Sequence, residues 1–313
     1  MCLCLASLLP APSSRAQSER LYLTQSASGG FIAPDVARKK GFFEAEGLNV
    51  ETVVVPAANI SIAGMLAKNI DYTILLGALA RAALQGAPVR LVLLIMDRPT
   101  YDLVGRPEIK SLEELRGKTV GVSTIGAGSE VITRMILMRA GLIPDRDVRL
   151  LPLASAMGRM TALEKGLVAA ALINPPFTFA LEKQGYRILV KAADLPPFPY
   201  MGLGTTVDRI RERPDEVKLI IKALLRANLF IRKEKAQSVA MIMESARLDR
   251  ETAERYYDST WPLFSRNGEF EAAGMNLIVD LARKDLGIKD EVSLSQIADF
   301  APLKAAQKEL GIR

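Results

Sequence analysis

The sequence predicts an α/β protein of two lobes, and three observations carry that prediction. Short β-rich runs alternate with helical stretches, the pattern of strands laid side by side with helices returning over them. A helix, a tight turn and a strand occur twice, at Met65-Leu66-Ala67-Lys68-Asn69-Ile70-Asp71-Tyr72 and again at Ala162-Leu163-Glu164-Lys165-Gly166-Leu167-Val168-Ala169, as two similar lobes would require. Two irregular stretches, the turn-rich residues 97–110 and the proline-rich DLPPFPY at 194–200, suit crossings between the lobes. With 313 residues, the chain can hold two cores of ordinary size.

The elements follow in order. LYLTQSASGG opens with a strand at Leu21 and breaks into the small polar loop 25–30. A helix begins near Pro34, with Gly41 and Gly47 punctuating its end, and NVETVVV at 49–55 is β-branched enough for a second strand. Strand, helix, strand makes a parallel βαβ unit. A helix over 61–68, a strand over 70–76 ending at Gly77 and a helix over 78–84 come next. PVRLVLLI at 88–95 is a continuous apolar strand of the kind buried on both faces.

The stretch SLEELRGKTVGVSTIGAGSEVITRMILMRAGL at 111–142 is the most informative. Ser111 and Glu114 are spaced as a capping box, residues 119–123 form a short strand, and a small polar loop leads into a helix. Val131, Met135, Met138 and Leu142 mark the apolar face of that helix, and Gly141 and Pro144 stop it. Free backbone N–H groups at such a helix start can face a ligand, although an ordinary strand-to-helix turn has the same composition. Further strands at 170–173 and 186–190 precede a helical tail over 216–233, 235–245, 250–257 and 272–286, opened by Pro214 with Asp215 and Glu216 behind it.

Composition excludes several chemistries. The net charge of +6 is dispersed among interleaved acids and bases, with no basic run interleaved with aromatics, no zinc-finger spacing and no helix-turn-helix signature, so nucleic acid is not an expected partner. Met1 to Pro10 is apolar but too short to span a bilayer, and Ser14-Arg15-Ala16 fits a cleavage site before Gln17, although the positive n-region is missing. Residues 1–16 are therefore expected to be a signal peptide. The two cysteines, Cys2 and Cys4, fall inside it, and the chain has no histidine. The mature protein would lack thiol nucleophiles, disulfides, Cys/His metal sites and histidine bases, and no metal or cofactor is expected.

The order of SLEELRGKTVGV, a small-residue loop and a helix ending in AGL, then ALEKGLVAAALINPP, then PDEVKLIIKALLRANLFIRK and the lone Trp261 before a helix-rich tail, resembles the periplasmic substrate-binding proteins of ABC importers. The nearest subgroup is that of the nitrate/sulfonate/taurine and thiamine-pyrimidine precursor (NMT1/THI5-like) binders, and the likeness extends over nearly all of the chain after residue 20. The resemblance implies a type 2 periplasmic-binding-protein fold, two α/β lobes joined by two hinge crossings. Lobe one would comprise 21–106 plus 206–313, and lobe two 107–205. It further implies an exported, periplasmic, monomeric receptor without catalytic activity. Such a receptor captures a small organic ligand, anionic or aromatic, and delivers it to an inner-membrane permease.

Carried onto this sequence, the family's pocket positions fall on Gln25, Ser26 and Ser28, on Leu76, Gly77 and Ala78, on Thr124, Gly126, Ala127, Gly128 and Ser129, and on Asn174 and Phe177. Hydroxyls and amides there offer hydrogen bonds, glycines permit close approach, and Phe177 can stack on a flat ligand. Equally, Phe177 and Phe179 can be core, and Asn174 can merely end a strand. Two departures stand out: Ala169 replaces an Asp common in the family, and the loop 125–128 has no basic side chain. A strongly anionic ligand would then depend on helix-end N–H groups and hydroxyls, or on Arg159 if it reaches the cleft. The competing reading is an enzyme on the same fold, a carboxylate-based lyase or a pyrimidine-precursor synthase. The second of these uses histidine and a cysteine cluster, which the mature chain lacks.

Overall fold

A computed structural model of the chain describes residues 19–26, 32–55, 58–123, 128–153, 155–196 and 198–312. The first lobe opens with β1 (Arg20–Ser26), α1 (Ala33–Lys39), α2 (Phe42–Ala45), β2 (Asn49–Val55), α3 (Ala58–Leu66), β3 (Tyr72–Thr73), α4 (Leu76–Leu84) and β4 (Val89–Met96). The chain then crosses to β5 (Asp102–Gly105), β6 (Thr119–Val122), α5 (Gly128–Arg139), β7 (Arg149–Pro152), α6 (Ala156–Glu164), β8 (Ala170–Ile173), α7 (Phe177–Lys183) and β9 (Arg187–Lys191). It returns as β10 (Met201–Thr206), followed by α8 (Val207–Glu212), α9 (Pro214–Lys233), α10 (Lys235–Ala246), α11 (Arg250–Thr260), α12 (Ala272–Leu286) and α13 (Ala301–Leu310).

Two five-stranded sheets result, ordered β2-β1-β3-β10-β4 and β7-β6-β8-β5-β9. β1 is parallel to β2 and β3, as β6 is to β7 and β8. In both sheets the fourth strand is antiparallel, and in both it is the first strand laid down after a crossing. The lobes share one plan. The expected boundaries shift accordingly: residues 102–105, assigned to lobe one, pair in the second sheet, and 201–205, assigned to lobe two, pair in the first. The crossing segments lie against each other, Phe198 N–H donating to Asp97 O at 3.1 Å and Tyr200 N–H to Met96 O at 3.0 Å.

β4 reads as an unbroken apolar run because both its faces are covered. Val92, Leu93 and Ile95 pack in the cluster that holds Ile220, Leu224 and Ile231 of α9, while Leu91 and Leu94 join Leu79, Ala80 and Ala83 of α4. The repeated helix–turn–strand is also real geometry. Asn69 and Ile70 both donate to Gly64 O, at 2.8 and 3.2 Å, as Leu167 and Val168 both donate to Ala162 O, at 2.9 and 3.4 Å. Lys68, at φ +60°, therefore occupies the left-handed position that Gly166 takes at φ +71°. The true pairing is one residue out of step with the sequence echo, and it sets Asp71 opposite Ala169. Asp71 accepts from Tyr22 N–H at 2.7 Å and pairs with Arg209; Ala169 forgoes both while its own N–H still reaches Thr119 O at 2.8 Å.

Several elements differ from expectation. The strand expected to run to Leu76 stops at Thr73, because Leu76, Leu79, Ala80 and Ala83 already bury a helical face and alanine favours helix. On α5 the buried stripe is Ile132, Met135 and Ile136, whereas Met138 is 46% exposed. The capping box does not form: Glu114 accepts from Lys110 N–H at 2.8 Å, beside a single 3-10 turn over Glu113–Leu115.

Candidate ligand-binding cleft

Strand register sets the two sheets edge to edge. β5 begins at Asp102, opposite Ile173, the last residue of β8, and β10 begins at Met201, opposite Met96, the last residue of β4. Both crossings therefore join the C-terminal edges of the parallel strands, and residues on those edges look across at one another. Open α/β sheets bind ligands at such edges.

On the first lobe, Gln25 and Ser26 end β1. Gln25 is 7% exposed, its Nε2 donates to Asp35 Oδ1 at 3.4 Å, and its Oε1 is buried with no hydrogen-bond partner among the described residues. Burial pushes the Asp35 carboxyl up, with the Gln25 bond opposing. Leu76, Gly77 and Ala78 form the first turn of α4, which has no side-chain cap. Leu76 turns into the core, but Gly77 is exposed, and a Cβ built on it would meet nothing within 4 Å. A helix's first turn leaves N–H groups without intrahelical partners; here that of Leu76 donates to Ile74 O at 3.0 Å, and the space beside Gly77 is open.

On the second lobe, Gly128 opens α5 and is exposed; a Cβ there would lie 3.8 Å from Cε2 of Tyr200. Ser129 is buried, and its hydroxyl accepts from Ser123 N–H at 2.8 Å and contacts Ser123 Oγ. Asn174 follows β8, is 9% exposed and donates to Pro175 O at 3.2 Å. Phe177, the first residue of α7, is partly exposed, while Phe179 is buried in the first lobe's core cluster. Ser28, Thr124, Gly126 and Ala127 lie outside the described residues.

Three further residues enter the site. Tyr101 and Tyr200, one from each crossing, meet edge to face with ring centroids 5.7 Å apart at 84°. Burial pushes the Tyr200 phenol well up, and Tyr101 adds to this. Arg159, on α6, is 3% exposed; its Nε donates to Leu172 O at 2.7 Å and its Nη1 to Leu153 O at 3.0 Å. Burial lowers its pKa, while Tyr101 and Tyr200 raise it. A guanidinium fixed at the ends of β7 and β8, beside two phenols, is a cation placed where an anionic ligand could use it. Asp102, 7% exposed, is pushed up to about 6 by burial, with the Thr178 hydroxyl and Lys191 opposing. The tyrosines left one signal: each stands alone in a stretch otherwise read as mere connection. Among the described residues no cluster of three or more His, Cys, Asp or Glu could hold a metal, and no helix is long and apolar enough to cross a membrane.

The comparisons with known proteins agree with this architecture. The periplasmic aliphatic sulphonate binding protein SsuA from Escherichia coli superposes with a TM-score of 0.75 at 19% identity, over 90% of this chain and 97% of that one. The alkanesulfonate-binding protein SsuA from Xanthomonas axonopodis pv. citri, bound to MOPS, gives 0.72 at 17% identity, over 93% and 98%. The desulfurization enzyme DSZB gives 0.68 at 14% identity, over 93% and 99%. These likenesses show the fold, that of the periplasmic binding proteins. A search of curated proteins finds no match. The family model described as NMT1/THI5 like matches residues 30–237, and the chain belongs to that NMT1/THI5-like family.

Proposed function

We propose that the protein is an exported, monomeric solute-binding receptor of an ABC importer, holding a small organic anion in the interlobe cleft and handing it to a membrane permease. The observation that carries this reading is the facing pair of sheet edges. One edge offers the uncapped first turn of α4, the other offers Arg159, and the edge-to-face pair Tyr101–Tyr200 bounds the gap at the crossings. The arrangement supplies hydrogen-bond donors, a cation and an aromatic wall, which is binding chemistry for an organic sulfonate or carboxylate. The SsuA proteins named above bind sulfonates on the same fold. DSZB is an enzyme on that fold, so turnover must be tested directly.

Thermal-shift screening of alkanesulfonates, arenesulfonates and aromatic carboxylates, followed by calorimetry and chromatographic recovery of the hit, tests the reading. A raised melting temperature with the compound recovered unchanged is expected. Consumption of the compound would replace the receptor by an enzyme. Gly128→Val, whose branches would press on Tyr200, is expected to weaken binding about tenfold or ~1.4 kcal/mol; unaltered affinity would remove α5 from the site.

A further inference from the structure

We propose that Gln25 reads a hydrogen-bond donor on the ligand, so that the solute carries an N–H or O–H group in addition to its anionic group; this rests on the receptor reading above. Along β1, Leu21, Leu23 and Gln25 share one face, and the two leucines pack into the core with Val36 and Ala37 of α1. Gln25 is thus a polar residue where the pattern calls for a third apolar one, one residue short of the cleft-facing end of the strand. A buried amide without a role is costly: an unsatisfied buried acceptor costs roughly 1–3 kcal/mol.

Asp35 fixes which half of the amide is free. A carboxylate only accepts, so the NH2 group turns to Asp35 Oδ1, and the carbonyl oxygen Oε1 is left buried with no partner among the described residues. An acceptor in that position discriminates by penalty: a ligand with a donor satisfies it, and an analogue without one leaves it desolvated and unpaired. Neither a sulfonate nor a carboxylate oxygen can fill the role, because both are acceptors. The donor therefore belongs to a second substituent, placed toward the first lobe, with the anionic group toward Arg159 in the second.

Calorimetry with two matched pairs separates the possibilities: propane-1-sulfonate against 3-hydroxypropane-1-sulfonate, and benzenesulfonate against 4-hydroxybenzenesulfonate. Wild-type protein is expected to bind the hydroxylated member of at least one pair about tenfold or more tightly. Gln25→Leu is expected to bring that ratio within about twofold; it removes the unpartnered Oε1 together with the Nε2–H donor to Asp35, so a modest loss of melting temperature accompanies it. Gln25→Met provides the same measurement should the leucine variant misfold. Equal binding within both pairs by the wild type, or a preference that survives in the Gln25 variants, would overturn the inference and leave the receptor intact. Failure of all four compounds together with the wider screen would overturn the receptor reading and this inference with it.

Discussion

Asp102 shows how one side chain records the strain of its position. It begins β5 at the cleft edge, nearly fully buried, and burial holds its carboxyl up at about 6 against an ordinary 3.8. Because the folded state binds this proton more tightly than the unfolded chain, the associated stability is fully present below pH 3.8 and is lost as pH rises through 6. The interval corresponds to about 3 kcal/mol. Asp102→Asn is expected to raise stability at pH 7 and to leave it nearly unchanged at pH 3.5, measured as urea midpoints; a variant with the wild-type pH profile would show that another group carries the effect. At this scale the sequence was only partly readable. Ser129 is a hydroxyl in a ligand loop by its neighbours, yet Ser123 claims it, and nothing in the local text announces a partner six residues away. Tyr101 and Tyr200 become a pair only once two distant crossings lie side by side.

At the level of elements, β10 is the instructive case. Its sequence, MGLGTT, is a poor strand by composition, with two glycines where β-branched residues would be expected. The fold explains them. A Cβ on Gly204 would lie 2.6 Å from both Leu79 methyls and 2.9 Å from Arg90 O, and one on Gly202 would lie 2.9 Å from Leu93 O. Helix α4 and strand β4 occupy the space that side chains would need. Gly204→Ala is expected to cost roughly 1–3 kcal/mol, because Leu79 can shift but the Arg90 carbonyl, fixed in β4, cannot; a melting temperature equal to wild type would show that β10 has room. The strands and helices with long periodic runs, such as 49–55, 88–95 and the helix opened by Pro214, were legible because local pattern and burial agree. β5, four residues long and wholly buried, was not, since its identity as a strand comes from the neighbours on both sides.

For the whole molecule, the lobes are also tied by side chains outside the crossing segments. Arg255 of α11 pairs with Glu182 of α7, and its guanidinium lies 4.0 Å over the Phe179 ring. Half-exposed pairs of this kind contribute about 0–1 kcal/mol to stability, but this one spans the two halves that a hinge would separate. Arg255→Ala is expected to leave the melting temperature within a few degrees and to enlarge the ligand-free radius of gyration in X-ray scattering; identical scattering curves would mean the contact does not restrain the lobes. The family resemblance and the two-lobe plan were visible in the order of motifs, whereas the true lobe boundaries were not, because they depend on which sheet accepts β5 and β10.

That exchange of strands has a consequence for biogenesis. The second sheet is made wholly from residues 102–191 and can assemble as soon as that stretch has emerged during synthesis. The first sheet must hold a gap between β3 and β4 until residues 201–206 arrive. The lobe translated first is thus the last to close, and until then its vacant slot is the place where a nascent chain is most open to a chaperone or to mispairing.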